Sequence, residues 1–131
     1  MRDAYRTIER GAEFRQKIER SEFLGLAFAV SSEPDFIAAL DAIRKEHFDA
    51  THHCWAFRLL AAERARSSDA GEPSGSAGKP ILSAIESAAL FDAAVVVVRW
   101  FGGVKLGTGG LSRAYRSGRH RRVCDDRSLC L

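Results

Sequence analysis

The sequence predicts an α+β fold, a four-stranded sheet with two to three helices packed on it. Three observations carry that prediction. Four segments alternate or run apolar as strands do, at 13–19, 22–30, 51–60 and 93–101. Two segments between them repeat apolar residues at helical spacing, and a third helix starts at Leu111. The chain has 131 residues, 46% hydrophobic and 28% charged, which suits one globular domain with one sizeable core.

Each element has its own justification. In 13–19, Phe14, Gln16 and Ile18 oppose Arg15, Lys17 and Glu19, the pattern of a half-exposed edge strand. In 22–30, Leu24, Leu26, Phe28 and Val30 share one face and Gly25, Ala27 and Ala29 the other, so a helix covers at least one side. Ser32, Pro34 and Asp35 open a helix with a hydroxyl cap, a first-turn proline and an acid. Phe36, Ile37, Leu40 and Ile43 continue it to about Glu46. The third strand, 51–60, is rich in aromatic residues, and 61–79 reads as a loop punctuated by Gly71, Pro73, Gly75 and Gly78. Ile81, Leu82, Ile85 and Ala88 stripe a second helix at 80–89. Residues 95–98 are four valines, which predicts the most buried, central strand. A glycine loop at 102–110 then enters the third helix.

Charge and composition exclude several classes. The net charge of +3 sits entirely in residues 116–131, where five arginines face two aspartates, so the body carries no basic excess. No run approaches the ~18 apolar residues of a membrane span, and residues 1–6 lack the apolar core of a secretory signal. Three scattered cysteines are no disulfide framework. The expectation is a cytoplasmic protein with no membrane partner, a flexible lead-in at 1–12, a domain at 13–115 and an atypical Arg-rich tail at 116–131.

Two loops concentrate the chemistry. The segment 102–110 holds five glycines between a buried strand and a helix start, and from 93 to 115 there are three bases, Arg99, Lys105 and Arg113, and no acid. A helix N-terminus presents free N–H groups, so Gly107, Thr108, Gly109 and Gly110 form a candidate site for phosphate, free or in RNA, with Thr108 or Gly109 as the cap. The competing reading is that these glycines only make a tight turn. The second loop carries Asp69, Glu72, Ser74 and Lys79 ahead of a helix. It is superficially like a Walker A loop and fails it, since Pro73 and Pro80 occupy the required Gly and Ser/Thr places. His52-His53-Cys54 invites a metal reading, but strand alternation leaves only His52 and Cys54 on one side, and two ligands do not close a site. No metal or cofactor is expected. Cys54 reads as a buried, unreactive thiol, and Trp55 and Phe57 as core.

Taken as blocks, 49–58, 68–80 and 95–111 resemble the three signature segments of the IMPACT family, in its bacterial YigZ-type branch, over roughly residues 14–115. The resemblance implies the fold of the second domain of a small-subunit ribosomal protein, shared with domain IV of elongation factor G. It also implies a translation-linked role: eukaryotic members restrain the kinase of initiation factor 2 by competing for its activator, and the fold analogy points to RNA or the ribosome. Two departures stand out. Ala70 replaces the second aspartate of the family's Asp-Asp-Gly-Glu-Pro run, and the family pattern is lost after Tyr115, with the ferredoxin-like second domain of bacterial members absent from the sequence. The expectation for 116–131 is a shifted reading frame, because suitable synonymous codons minus one base would restore a small-residue helix. The gene's codons check this.

Two functions follow. The first is a non-catalytic binding module, contacting RNA, the ribosome or a translation-regulatory protein through the two loops. The alternative is an enzyme acting on a phosphorylated small molecule, with Asp69, Glu72, His52 and Lys105 as its polar cluster. That requires the four side chains to converge.

Overall fold

The computed structural model describes residues 11–115. The expectations for residues 1–10 and for the 116–131 tail lie outside the described residues. The elements are β1 (Ala12–Ile18), β2 (Ser21–Ala29), α1 (Glu33–Glu46), β3 (His52–Leu59), a short 3-10 turn (Ala61–Glu63), β4 (Arg64–Ser68), α2 (Gly78–Ser87) and β5 (Ala93–Trp100). A further helix, α3, occupies 107–115.

Among the described residues the fold is α+β as expected, but the sheet has five strands rather than four, all antiparallel, in the order β1-β2-β5-β3-β4. The extra strand, β4, lies inside the expected 61–79 loop. Its sequence Arg-Ala-Arg-Ser-Ser has no apolar alternation, because it is an edge strand built by backbone pairing to β3 from Trp55↔Ser68 to Leu59↔Arg64. Arg64 and Arg66 also reach across to Glu33 at the start of α1, Arg64 Nε at 2.6 Å. Glu33 is held below the usual carboxylate range, foremost by its hydrogen bond from Arg64.

Strand alternation gives the sheet two apolar faces. On one, Leu24, Phe57, Val96 and Val98 pack against Phe36 and Leu40 of α1. On the other, Phe23, Ala27, Ala56, Val95 and Val97 pack against Ile81 and Ile85 of α2 and Leu111, Ala114 and Tyr115 of α3. The small residues of β2 therefore face a second helical layer. Central β5 is buried from Ala93 to Arg99, as its valine run predicts. Ser32 caps α1 by accepting from the Asp35 N–H at 3.2 Å.

β1 and β2 join through Glu19 and Arg20, both left-handed with φ of 49° and 69°, the conformation a two-residue hairpin turn requires. Gly102 lies against this turn. A Cβ there would stand 2.0 Å from the Arg20 carbonyl oxygen, so only glycine lets the chain leave β5 at this point.

Candidate functional site

The register of the sheet builds the site. His52 at the start of β3 pairs with Arg99 near the end of β5, and Arg99 pairs with Phe23 of β2. Odd positions of β5 face the α2–α3 layer, so Arg99 follows Val95 and Val97 inward and is only 3% exposed. A charge so placed needs a partner. Arg99 Nη1 donates to Glu72 Oε2 at 2.6 Å, and its Nε and Nη2 donate to Ser21 Oγ at 3.3 and 3.2 Å. Its guanidinium also lies 5.4 Å from the Phe23 ring centroid and 5.3 Å from that of Phe101.

Glu72 is the hub. Its Oε2 also accepts from the Tyr115 hydroxyl of α3, and its Oε1 lies 3.5 Å from His52 Nε2. His52 Nδ1 is 2.9 Å from the Ala70 carbonyl. A carbonyl can only accept, so Nδ1 carries a proton. Burial pushes the Tyr115 phenol far up, with Cys54 and Glu72 acting the same way, so it stays a donor to Glu72. Cys54 donates its S–H to the Asp69 carbonyl at 3.0 Å. Burial outweighs an opposing hydrogen bond with Tyr115 and pushes the thiol up to about 12.

Asp69 has a different task. α2 begins with no side-chain cap of its own, and the Asp69 carboxylate supplies one from a distance. It accepts from the N–H groups of Gly75, Ala77 and Gly78 at 2.8, 3.1 and 2.8 Å. Partial burial raises this carboxyl, but the three N–H groups and the Lys79 charge more than offset it and hold it below the usual range.

Above the hub lies a cleft of about 360 Å³, lined by Thr51, His52, Glu72, Pro73, Arg99, Phe101, Lys105, Leu106, Gly107, Thr108 and Leu111. It brings together six residues singled out in the sequence: His52, Glu72, Arg99, Lys105, Gly107 and Thr108. The others are elsewhere. Lys105 and Leu106 form a ridge, and Gly110 and Arg113 line a separate hollow beyond it with Ile18, Glu19 and Val104. Ser74 is exposed on the loop ahead of α2, Lys79 on the first turn of α2 and Gly109 on the first turn of α3, and none of the three lines the cleft.

Of the two acids that could pair with Arg99, Glu72 does so. Several expectations need correction. Asp69 does not line the cleft, because α2 takes its carboxylate. Helix α3 starts at 107, so Thr108 and Gly109 lie within it rather than capping it. The left-handed glycine of that turn is Gly107, with φ of 74°, and Gly109 is not among the left-handed residues. The cluster expected for catalysis therefore loses Asp69, while His52, Glu72 and Lys105 do share the cleft. Sequence reasoning missed Ser21 and Tyr115, two ordinary residues. The available signal was Arg99 itself, a charge ending a valine run and so in need of buried partners. Among the described residues no three His, Cys, Asp or Glu side chains gather as a metal site, and no helix is long and apolar enough to cross a membrane.

With the geometry in place, comparisons identify the lineage. The Impact N-terminal domain matches residues 19–123. The chain is 40% identical over 116 residues to the IMPACT family member YvyE of Bacillus subtilis (strain 168), covering 88% of this chain and 54% of the relative. It is 38% identical over 106 residues to the IMPACT family member YigZ of Escherichia coli (strain K12), covering 79% and 52%. The chain thus spans about half the length of these relatives. Among solved structures, a crystal structure of a protein described as hypothetical superposes with a TM-score of 0.87 at 32% identity, covering 93% of this chain and 61% of that one. The two-domain translational regulator Yih1 superposes with a TM-score of 0.56 at 26% identity, covering 88% and 48%. The chain belongs to the IMPACT family, over that family's N-terminal domain.

Proposed function

We propose that this IMPACT-family domain is a non-catalytic binding module linked to translation, and that the cleft beside Lys105 is the face that engages RNA. The observation that carries this reading is how the polar groups are used. Glu72 Oε2 is taken by Arg99 and Tyr115, and Asp69 by the start of α2, so these side chains hold the 69–78 loop onto the sheet. An enzyme acting on a phosphorylated small molecule would need one of them as an unspent base. What faces outward is Lys105, exposed, beside the opening turn of α3, whose N–H groups favour a phosphate. The superposition on a translational regulator supports the link to translation. Such a role implies a cytoplasmic setting.

Binding of structured RNA, measured by fluorescence anisotropy across a salt series, tests this. Affinity should fall steeply with salt, and Lys105→Ala should lower the slope of log K against log salt by about one. A flat salt response, or a slope unchanged in Lys105→Ala, defeats the RNA reading and favours a regulatory protein as the partner.

A further inference from the structure

We propose that the cleft takes the base of an unpaired nucleotide, stacked on Phe101, and that the adjoining hollow across the Lys105 ridge carries the phosphates that follow it. This rests on the RNA-binding reading and narrows its ligand to single-stranded RNA.

Phe101 supplies the stacking half. Its ring is 46% exposed, and it is no stray surface residue, since with Pro73, Leu106 and Leu111 it makes the apolar wall of the cleft. It is also anchored. The Phe101 N–H donates to Thr51 Oγ1 at 2.9 Å, and the next N–H, that of Gly102, donates to Ser21 Oγ at 3.2 Å. The Arg99 guanidinium, itself fixed by Glu72 and Ser21, lies 5.3 Å from the ring centroid. An aromatic ring that is exposed yet held loses little freedom on meeting a base, which is what a stacking platform requires. The cleft of about 360 Å³ lies at the small end of ligand sites and suits one flat group. A base within a duplex would have to leave its stack to enter, at a cost, whereas an unpaired base is already free. Every base has a flat face, so the site tolerates all four.

The charge supplies the backbone half. Lys105 and Leu106 line both the cleft and the hollow of about 520 Å³ beside it, so the two adjoin along one surface. Arg113 lines that hollow, whose one acid is Glu19. Lys105 and Arg113 are exposed, and among the described residues neither makes an ion pair. Inside the cleft Arg99 is matched by Glu72. An apolar slot followed by unmatched positive charge has the order of a nucleotide, ring and then phosphate. On the other flank of Phe101, a third hollow sets Lys17 and Arg20 against Glu22, Glu46 and Asp49. The strand therefore runs from Phe101 toward Arg113 and away from those acids.

The test is fluorescence anisotropy of the 131-residue chain with labelled hexauridylate and with a short blunt RNA duplex, each over a salt series. Hexauridylate should bind about tenfold tighter than the duplex at equal salt. Phe101→Ala should weaken hexauridylate about tenfold with the salt slope unchanged, because the ring bears no charge, and Phe101→Tyr should keep the affinity. The thermal melt should stay in place, since the ring is half exposed. Arg113→Ala should instead lower the slope of log K against log salt by about 0.7, the single-strand value for one phosphate. Duplex binding as tight as hexauridylate, binding indifferent to Phe101→Ala, or tighter binding of an acidic peptide carrying one phenylalanine would each overturn the inference. The two readings separate. Salt-dependent RNA binding that ignores Phe101 overturns the stacking site and leaves the RNA module standing, whereas RNA binding with no salt dependence defeats the module itself.

Discussion

Replacing Arg99 with methionine removes the charge that Glu72 faces while keeping an apolar side chain of similar reach. Both side chains are almost wholly buried, 4% and 3% exposed, and their closest atoms are 2.6 Å apart. Without Arg99, the Glu72 carboxylate keeps only the Tyr115 hydroxyl and His52, and Ser21 loses two donors. Stranding one member of a buried ion pair costs roughly 3–5 kcal/mol. In a domain of this size that lowers the melting temperature by on the order of 20 °C. The double variant Arg99→Met, Glu72→Gln has no stranded charge and should recover a large part of the loss, with a coupling of roughly 1–3 kcal/mol. Urea unfolding followed by far-ultraviolet circular dichroism on the wild type, both single variants and the double variant gives the cycle. A loss below about 1 kcal/mol for Arg99→Met, or single effects that simply add, would mean that the pair does not anchor the 72 loop and that the hub is misread.

Three further outcomes follow from the same geometry. Asp69→Ala should cost roughly 1–2 kcal/mol by uncapping α2. Because this carboxyl is lowered in the folded state, its contribution is present above the ordinary aspartate value and fades as the pH falls through the lowered one; an acid-unfolding curve as steep in Asp69→Asn as in the wild type would contradict that. Cys54, buried with its thiol pushed up to about 12, should resist a thiol reagent in the native protein and react only on unfolding; rapid native labelling that disappears in Cys54→Ala would refute this. Val96→Asp places an unpaired charge in the central strand and should abolish cooperative melting, so a soluble variant with a sharp melt would count against the assignment of that core.

What the sequence disclosed followed from period. Where residues alternate, as in β1, or repeat at helical spacing, as in α1 and α2, one face turns toward the core and pattern reveals it. β4 escaped because Arg64, Ala65 and Arg66 answer to backbone pairing and to Glu33, and neither leaves an apolar trace. The site divides in the same way. His52, Glu72, Lys105, Gly107 and Thr108 stood out as unusual residue types in unusual loops. Tyr115 and Ser21 did not, because their importance lies in contacts 43 and 78 positions away along the chain. Arg99 was visible as a base beside the glycine loop, and which acid pairs with it, Glu72, depends on how the loop after β4 returns to the strand.

Strand order has a consequence for how this chain comes to be folded. β5, the middle of the sheet, is the last strand in sequence among the described residues. Without β5 the native pairing divides into two ribbons, β1 with β2 and β3 with β4, each formed from sequence neighbours. Each ribbon has one outer strand guarded by charge, β1 with Arg15 and Lys17 and β4 with Arg64 and Arg66. Each inner strand, β2 or β3, offers an apolar edge with its backbone groups waiting for β5. Those two edges would stand open in any state in which β5 is not yet docked, and open edges are the feature that recruits foreign strands. Docking of the valine strand covers both inner edges at once and brings Arg99 to Glu72, so a single segment joins the two ribbons into one sheet.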